Sequence, residues 1–217
     1  MSIVNFNTLF ATYSGISELI KTHSSAELLT HISTVTGVSI QTLADYPMGT
    51  HAKNTSHDAY RYVLEDIKNN IHRYDQAYEL LEDEASRHIF TLLLQCRLLP
   101  NTRYTQEAFD ITNRLANEDT ASDIEVTSED KIAAILAAKE EIKKNTPKLT
   151  ICVSQVISHL WEVPLLLNMI QPNYSYHLRH TIPDELSGSI LYAVPKSNRS
   201  FAKNQARTAV ALPWRNG

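Results

Sequence analysis

Apolar residues recur at intervals of three and four over Val4–Ile20. Phe6, Leu9, Phe10, Tyr13, Ile16, Leu19 and Ile20 share one stripe, and this spacing predicts a helix. A second helix is predicted to start at Ser24 or Ser25, either of which can cap it, with Glu27 in the first turn where the helix dipole favours an acid. Leu28, Leu29, Ile32 and Val35 form its apolar side, and Thr36-Gly37 ends it. Asp58–Arg73 is amphipathic, with Tyr60, Val63, Leu64, Ile67 and Ile71 on one stripe, and Ala77–Leu81 continues the phase. Glu84–Leu99 is apolar on several sides, which predicts a buried helix ended by Pro100. Thr105–Asn117 reads as a short helix, and Ser128–Lys144 as a longer one. The latter has Ser128 as cap, acids at 129 and 130, and lysines at 143 and 144 beside its carboxyl end.

The period changes in the last third. Leu149–Val153 is a short run of branched residues launched by Pro147, the composition of a strand buried on both faces. A helix follows over Ile157–Ile170, stopped by Pro172 and Asn173. Tyr174–His180 and Ser189–Val194 read as strands joined by a turn containing Gly188, and Asp123–Val126 as one more short strand. The expectation is an α/β fold: a helical N-terminal half and a reduced, mostly parallel sheet of about four strands. Ser128–Lys144 then serves as a right-handed crossover between the first two.

Punctuation divides the chain. Pro47–Ser56, PMGTHAKNTS, reads as a linker, which separates a helical region 1–46 from a body 57–195. The body is acidic, whereas residues 196–217 carry five bases, no acid and little apolar content, and read as a flexible tail. A net charge of −4 spread in this way is a poor match to nucleic acid. Cys96 and Cys152 both lie in apolar patterns, the usage of free thiols in a reducing compartment. No leader pattern or membrane-length apolar run is visible, so a cytoplasmic protein is expected.

Ile32–Tyr46 has the form of a helix-turn-helix, with Gly37 at the turn and Ser39 as second cap. A recognition helix must meet phosphates and base edges, yet Ile40–Asp45 has no Lys or Arg and ends in a carboxylate. A regulatory DNA-binding protein is therefore the third choice, behind a structural helix pair.

The pieces Pro147–Val153 (PKLTICV), Leu160–Leu167 (LWEVPLLL), Asn173–His180 (NYSYHLRH) and Leu191–Pro195 (LYAVP) resemble, in order, the C-terminal part of FkbM-type S-adenosylmethionine-dependent methyltransferases. Asp123-Ile124-Glu125 resembles that family's D-I-E-G element, with Val126 in place of the glycine. Tyr78–Leu99 resembles the helical segment before the family's sheet, and Tyr104 and Phe109 its lead-in to the first strand. The resemblance implies a remnant of a class I methyltransferase sheet, with the last strand antiparallel and inserted between the second and third. It also implies that the sheet's carboxyl end at Asp123 and Glu125 borders an active site.

The cofactor half has no visible counterpart. Between the lead-in and Asp123 lie only Asp110–Ser122, 13 residues, and one βαβ unit needs about 30. The five glycines are at 15, 37, 49, 188 and 217, so no G-x-G exists to let a nucleotide approach the backbone. No cofactor is expected. His177 and His180 are three apart on a strand, so they face opposite sides and no metal is expected either. Asp123 and Glu125 are the weak catalytic candidates. Asp123, Ile124, Glu125, Val126, Arg179 and Trp214 are the partner-binding candidates, with Arg179 otherwise expected to pair with Glu125 or Glu162.

The leading expectation is a non-catalytic, methyltransferase-like subunit that binds a protein or peptide beside an active enzyme, with a homo- or hetero-oligomer as its form. The alternative is an O-methyltransferase of this type active only in a complex.

Overall fold

The computed structural model describes residues 6–44, 59–99, 101–115, 122–154 and 156–196. The linker 47–56, Pro100 and the segment that includes Trp214 lie outside the described residues.

The first apolar stripe folds as two helices, α1 (Phe6–Phe10) and α2 (Tyr13–Thr22). The stripe is continuous in sequence, but Thr12 is extended and its Oγ1 accepts from the Gly15 N–H at 3.2 Å, which starts a new helix. In α3 (Ser25–Thr36) the Ser24 Oγ takes the Glu27 N–H while the Glu27 carboxylate takes the Ser24 N–H at 2.8 Å, a reciprocal cap. Gly37 ends α3 at φ +69°, a left-handed position that costs a glycine nothing. Ser39 then caps the short α4 (Ile40–Ala44).

The two amphipathic stretches after the linker fold as one helix, α5 (Ala59–Leu80), followed by α6 (Glu84–Leu98) and α7 (Arg103–Arg114). Helices α2, α5 and α6 bury their apolar sides in one continuous core with Ile16, Leu19, Ile67, Tyr74, Ile89 and Phe90 at its centre. Tyr13, Ser17 and Lys21, one turn apart along α2, all donate to the Asp75 carboxylate of α5, at 2.9, 2.8 and 2.6 Å.

After α7 come β1 (Ile124–Val126), α8 (Lys131–Ala137), α9 (Lys139–Asn145) and β2 (Leu149–Cys152). Then follow α10 (His159–Ile170), β3 (Tyr174–His180) and β4 (Ser189–Pro195). The expected helix 128–144 is divided. Asp130 rather than Ser128 caps its first part, accepting from Ala133 N–H at 2.9 Å, and the axis breaks at Ala138. The Ser128 carbonyl accepts instead from the Lys131 ammonium.

The sheet order is β1-β2-β4-β3. β1 pairs parallel with β2, and β4 pairs antiparallel with both β2 and β3, so three strands share one direction and the last runs against them. This is the expected placement of the last strand. Helix α10 packs across α5 and α8, whereas α6 and α7 pack on β3.

Candidate functional site

The two edges of the sheet differ. Along β3 the even residues turn their backbone groups away from β4, and α6, α7 and the turn between α5 and α6 meet them. Glu82 N–H donates to the Tyr176 carbonyl at 3.0 Å, Leu178 N–H donates to Ser86 Oγ at 2.9 Å, and His180 N–H donates to Thr112 Oγ1 at 2.9 Å. Leu81 also forms a parallel bridge with Tyr176. That edge is closed.

Asp83 locks the closure. As N-cap of α6 its carboxylate accepts the Ser86 N–H at 2.7 Å and the Ser86 hydroxyl at 2.8 Å, and it meets His177 Nδ1 at 2.6 Å. The Arg179 guanidinium lies at 3.4 Å from it and also donates to Ser86 Oγ and to the Leu178 carbonyl, both at 2.8 Å. Burial raises the Asp83 pKa, but the bonds from His177 and Ser86 and the Arg179 charge outweigh it, holding the carboxyl well below the usual carboxylate range. Arg179 is 3% exposed. Its acid is therefore Asp83, not Glu125 or Glu162, and its charge is spent inside the fold.

At β1 the pattern reverses. Ile124 N–H donates to the Lys148 carbonyl at 3.1 Å, and Ile124 and Val126 are buried. In a parallel ladder alternate residues address the neighbour, so the N–H and C=O of Glu125 point out of the sheet. Among the described residues no strand pairs with that side. The Glu125 side chain is exposed, as are Ser122, Asp123 and Glu129 around it, so the open edge is acidic.

Asp123 precedes the strand, at its amino end, and its carboxylate accepts the Lys148 N–H at 2.9 Å. The resemblance places Asp123 and Glu125 at the carboxyl end, where open α/β sheets seat ligands. The structure puts Glu125 in mid-strand and Asp123 before the amino end of the strand.

The chain beyond the carboxyl ends of β1 and β2 is tied down by the protein's own side chains. Lys131, 1% exposed, donates to the carbonyls of Thr127 and Ser128, and burial lowers its pKa. Arg97 of α6 donates to the Ser154 carbonyl at 3.0 Å, and Tyr74 reaches the Ile157 carbonyl at 3.3 Å. Gly188, at φ +91°, donates its N–H to Ser154 Oγ at 3.1 Å, and that hydroxyl lies 3.1 Å from Cys152 Sγ. The loop from β2 to α10 is thus pegged from three directions. Among the described residues Arg97 Nε and His159 Nδ1 find no hydrogen-bond partner, and burial lowers the pKa of both residues.

His177 and His180 diverge as expected, the latter fully buried with Nδ1 2.9 Å from Ser189 Oγ. No group of three or more potential metal ligands occurs among the described residues, and no helix among them is long and apolar enough to cross a membrane. On α4 the exposed Ile40, Gln41 and Thr42 include no base.

Sequence reasoning missed Asp83, Arg97 and Lys131. Asp83 had a signal, an Asp three residues before Ser86 at the head of an apolar helix. Arg97 and Lys131 had none, since both sit inside helical stripes.

No protein-family model and no curated protein sequence matches the chain. Among solved structures, the methyltransferase FkbM from Methylobacillus flagellatus KT superimposes with a TM-score of 0.50 at 14% identity, over 61% of this chain and 62% of that one. The chain thus matches less than two thirds of that protein's length. With a four-stranded mixed sheet and flanking helices in this order, the protein has a distant methyltransferase-like α/β fold.

Proposed function

We propose that this chain is a methyltransferase-like scaffold without an S-adenosylmethionine site of its own, which binds a protein or peptide partner by strand addition at β1, beside an active enzyme. The observation that carries the reading is the contrast between the edges: every outward group named on β3 meets a helix or the turn between α5 and α6, while among the described residues no strand meets the Glu125 N–H and C=O on β1. The chain between α7 and β1 supports it, being too short for the strands that would cover β1 in a complete sheet of this type. The scarcity of glycine supports the lack of a nucleotide loop.

Replacing Glu125 by Pro removes the outward N–H and leaves the Ile124 and Val126 bonds to β2 in place. The complex purified with its partner should lose at least tenfold in affinity in E125P, with cross-links from the partner falling on residues 122–131 of the wild type. A complex unaffected by E125P overturns the edge as the site. Calorimetry with S-adenosylmethionine should show no heat of binding; micromolar affinity overturns the reading in favour of an enzyme.

A further inference from the structure

We propose that the strand docking on β1 is a cationic one supplied by a different protein, with Lys or Arg opposite Glu125 and Asp123 and a branched apolar residue between them. The inference rests on the strand-addition reading above and names the chemistry of the partner at that edge.

Three observations converge. The first is uncompensated charge. From Ser122 to Asp130 the chain reads SDIEVTSED, with four acids and no base. Asp123, Glu125 and Glu129 are exposed, and among the described residues none of them forms an ion pair. Across the sheet Glu125 stands beside Thr150, and Thr150 beside Tyr192, neither of which supplies a cation. The next residue in that row, His177, meets Asp83 instead. Lys131 feels the Glu129 charge, yet its ammonium donates to the Thr127 and Ser128 carbonyls. Asp123 accepts the Lys148 N–H, a neutral donor that leaves the carboxylate charge in place.

The second is parity. Burial alternates along β1, with Ile124 and Val126 inside and Glu125 outside. Residues directly opposite each other on paired strands point to the same face, whichever way the added strand runs. Its residues beside Ile124 and Val126 therefore turn to the apolar side, and its residue beside Glu125 turns to the acidic side. Two bases flanking one branched residue meet Asp123 and Glu125 together. Opposite charges placed in this way stabilise a strand pair and fix its register.

The third is the exclusion of a second copy. Two β1 edges related by a two-fold axis run antiparallel, with outward-facing residues of one opposite outward-facing residues of the other. Glu125 of one copy then faces position 123, 125 or 127 of the other. The first two registers set Asp123 or Glu125 against Glu125, and the third sets Asp123 against Glu129. Every register opposes acids, and like charges directly opposite destabilise the pair. The edge thus repels its own copy, as exposed edges of folded proteins commonly do, and attracts a basic strand.

Fluorescence anisotropy of the full-length chain with labelled synthetic strands tests this. One strand alternates Val and Arg, one alternates Val and Glu, and one scrambles the Val-Arg composition. The Val-Arg strand should bind the wild type at least tenfold more tightly than the other two. Raising salt from about 0.05 to 0.5 M should weaken it severalfold as the charges are screened. E125K changes an exposed side chain, so it should keep the melting temperature and lose at least tenfold in affinity for the Val-Arg strand. A wild type that binds the Val-Glu strand as tightly, or that binds no strand, overturns the proposal. So does a wild-type dimer in sedimentation that E125P dissolves, since the occupant is then a second copy. The complex with the natural partner separates the two readings. If E125P releases the partner while E125K keeps it, the edge stands and the basic strand fails. A partner complex unaffected by either variant removes the edge as the site, and this proposal with it.

Discussion

Asp83 shows how much of this fold turns on one carboxylate. It caps α6, takes the Ser86 hydroxyl, meets His177 on β3 and neutralises the buried guanidinium of Arg179. Replacing it by Asn keeps the shape and part of the cap but removes the charge opposite Arg179. Breaking a buried pair from one side costs about 3–5 kcal/mol, and the partial exposure of Asp83 places D83N nearer 2–3 kcal/mol. The pH dependence follows from the same geometry. The folded carboxyl has a depressed pKa, so its contribution is present above the unfolded value near 4 and is lost as pH falls from there toward the folded value. Thermal melts between pH 6 and 3 should therefore show wild-type stability falling below about pH 4, with a shallower fall in D83N. Parallel slopes for the two proteins would count against this account. Arg179 was visible in sequence as a cation on a strand, but its partner is 96 positions away, and only the docking of the α6 amino end on β3 decides which acid it meets.

At the scale of elements, the strands were legible and the helix ends less so. Four strand positions followed from branched runs and turn residues, and β4 between β2 and β3 followed from the resemblance. Two helices were read too long: across Thr12, whose side chain caps a new start within an unbroken apolar stripe, and across Ala138, where the axis breaks without any side-chain cap. The phase that Ala77–Leu81 continues after Asp58–Arg73 does belong to one helix, α5, since residues 74–76 carry no stop signal strong enough to end it. The closed edge of β3 was not legible at all, because helix-to-strand bonds such as those from Ser86 and Thr112 leave no trace in periodicity. Ser86 is fully buried and receives the Leu178 N–H. In S86A that donor loses its acceptor, a cost of about 1–3 kcal/mol. Exchange at the Leu178 amide should rise in step, and unchanged protection there would show that the helix contact does not close the edge.

Taken whole, the molecule joins its amino-terminal helices to the sheet through one core, so the stretch 6–44 is not expected to melt by itself. Ile16, Leu19, Ile20, Leu28, Ile32 and Leu43 are each 2% exposed or less, and in this core they share a boundary with α5 and α6. Full burial of such a side chain contributes roughly 1.5–3 kcal/mol, so a few of them equal the 5–15 kcal/mol that holds a typical domain together. Helices as short as these do not persist in water without that contact. The Asp75 carboxylate adds direction to the packing, because Tyr13, Ser17 and Lys21 can reach it together only in one rotation of α2 against α5. Burial raises its pKa, yet the bonds from Lys21, Ser17 and Tyr13 prevail and lower it, so the charged form is the one that the fold selects. Scanning calorimetry should accordingly give one transition for the full chain. D75N should shift that transition downward as a unit, by an amount corresponding to about 1–2 kcal/mol for the weakened charge-assisted bonds. Because every probe in the shared core would report the same loss, tryptophan fluorescence at Trp161 and exchange along α2 should move together in D75N. An early, separate transition confined to residues 6–44 would mean that the core is divided where the linker divides the sequence, and the continuity argued from Ile16 to Phe90 would fail.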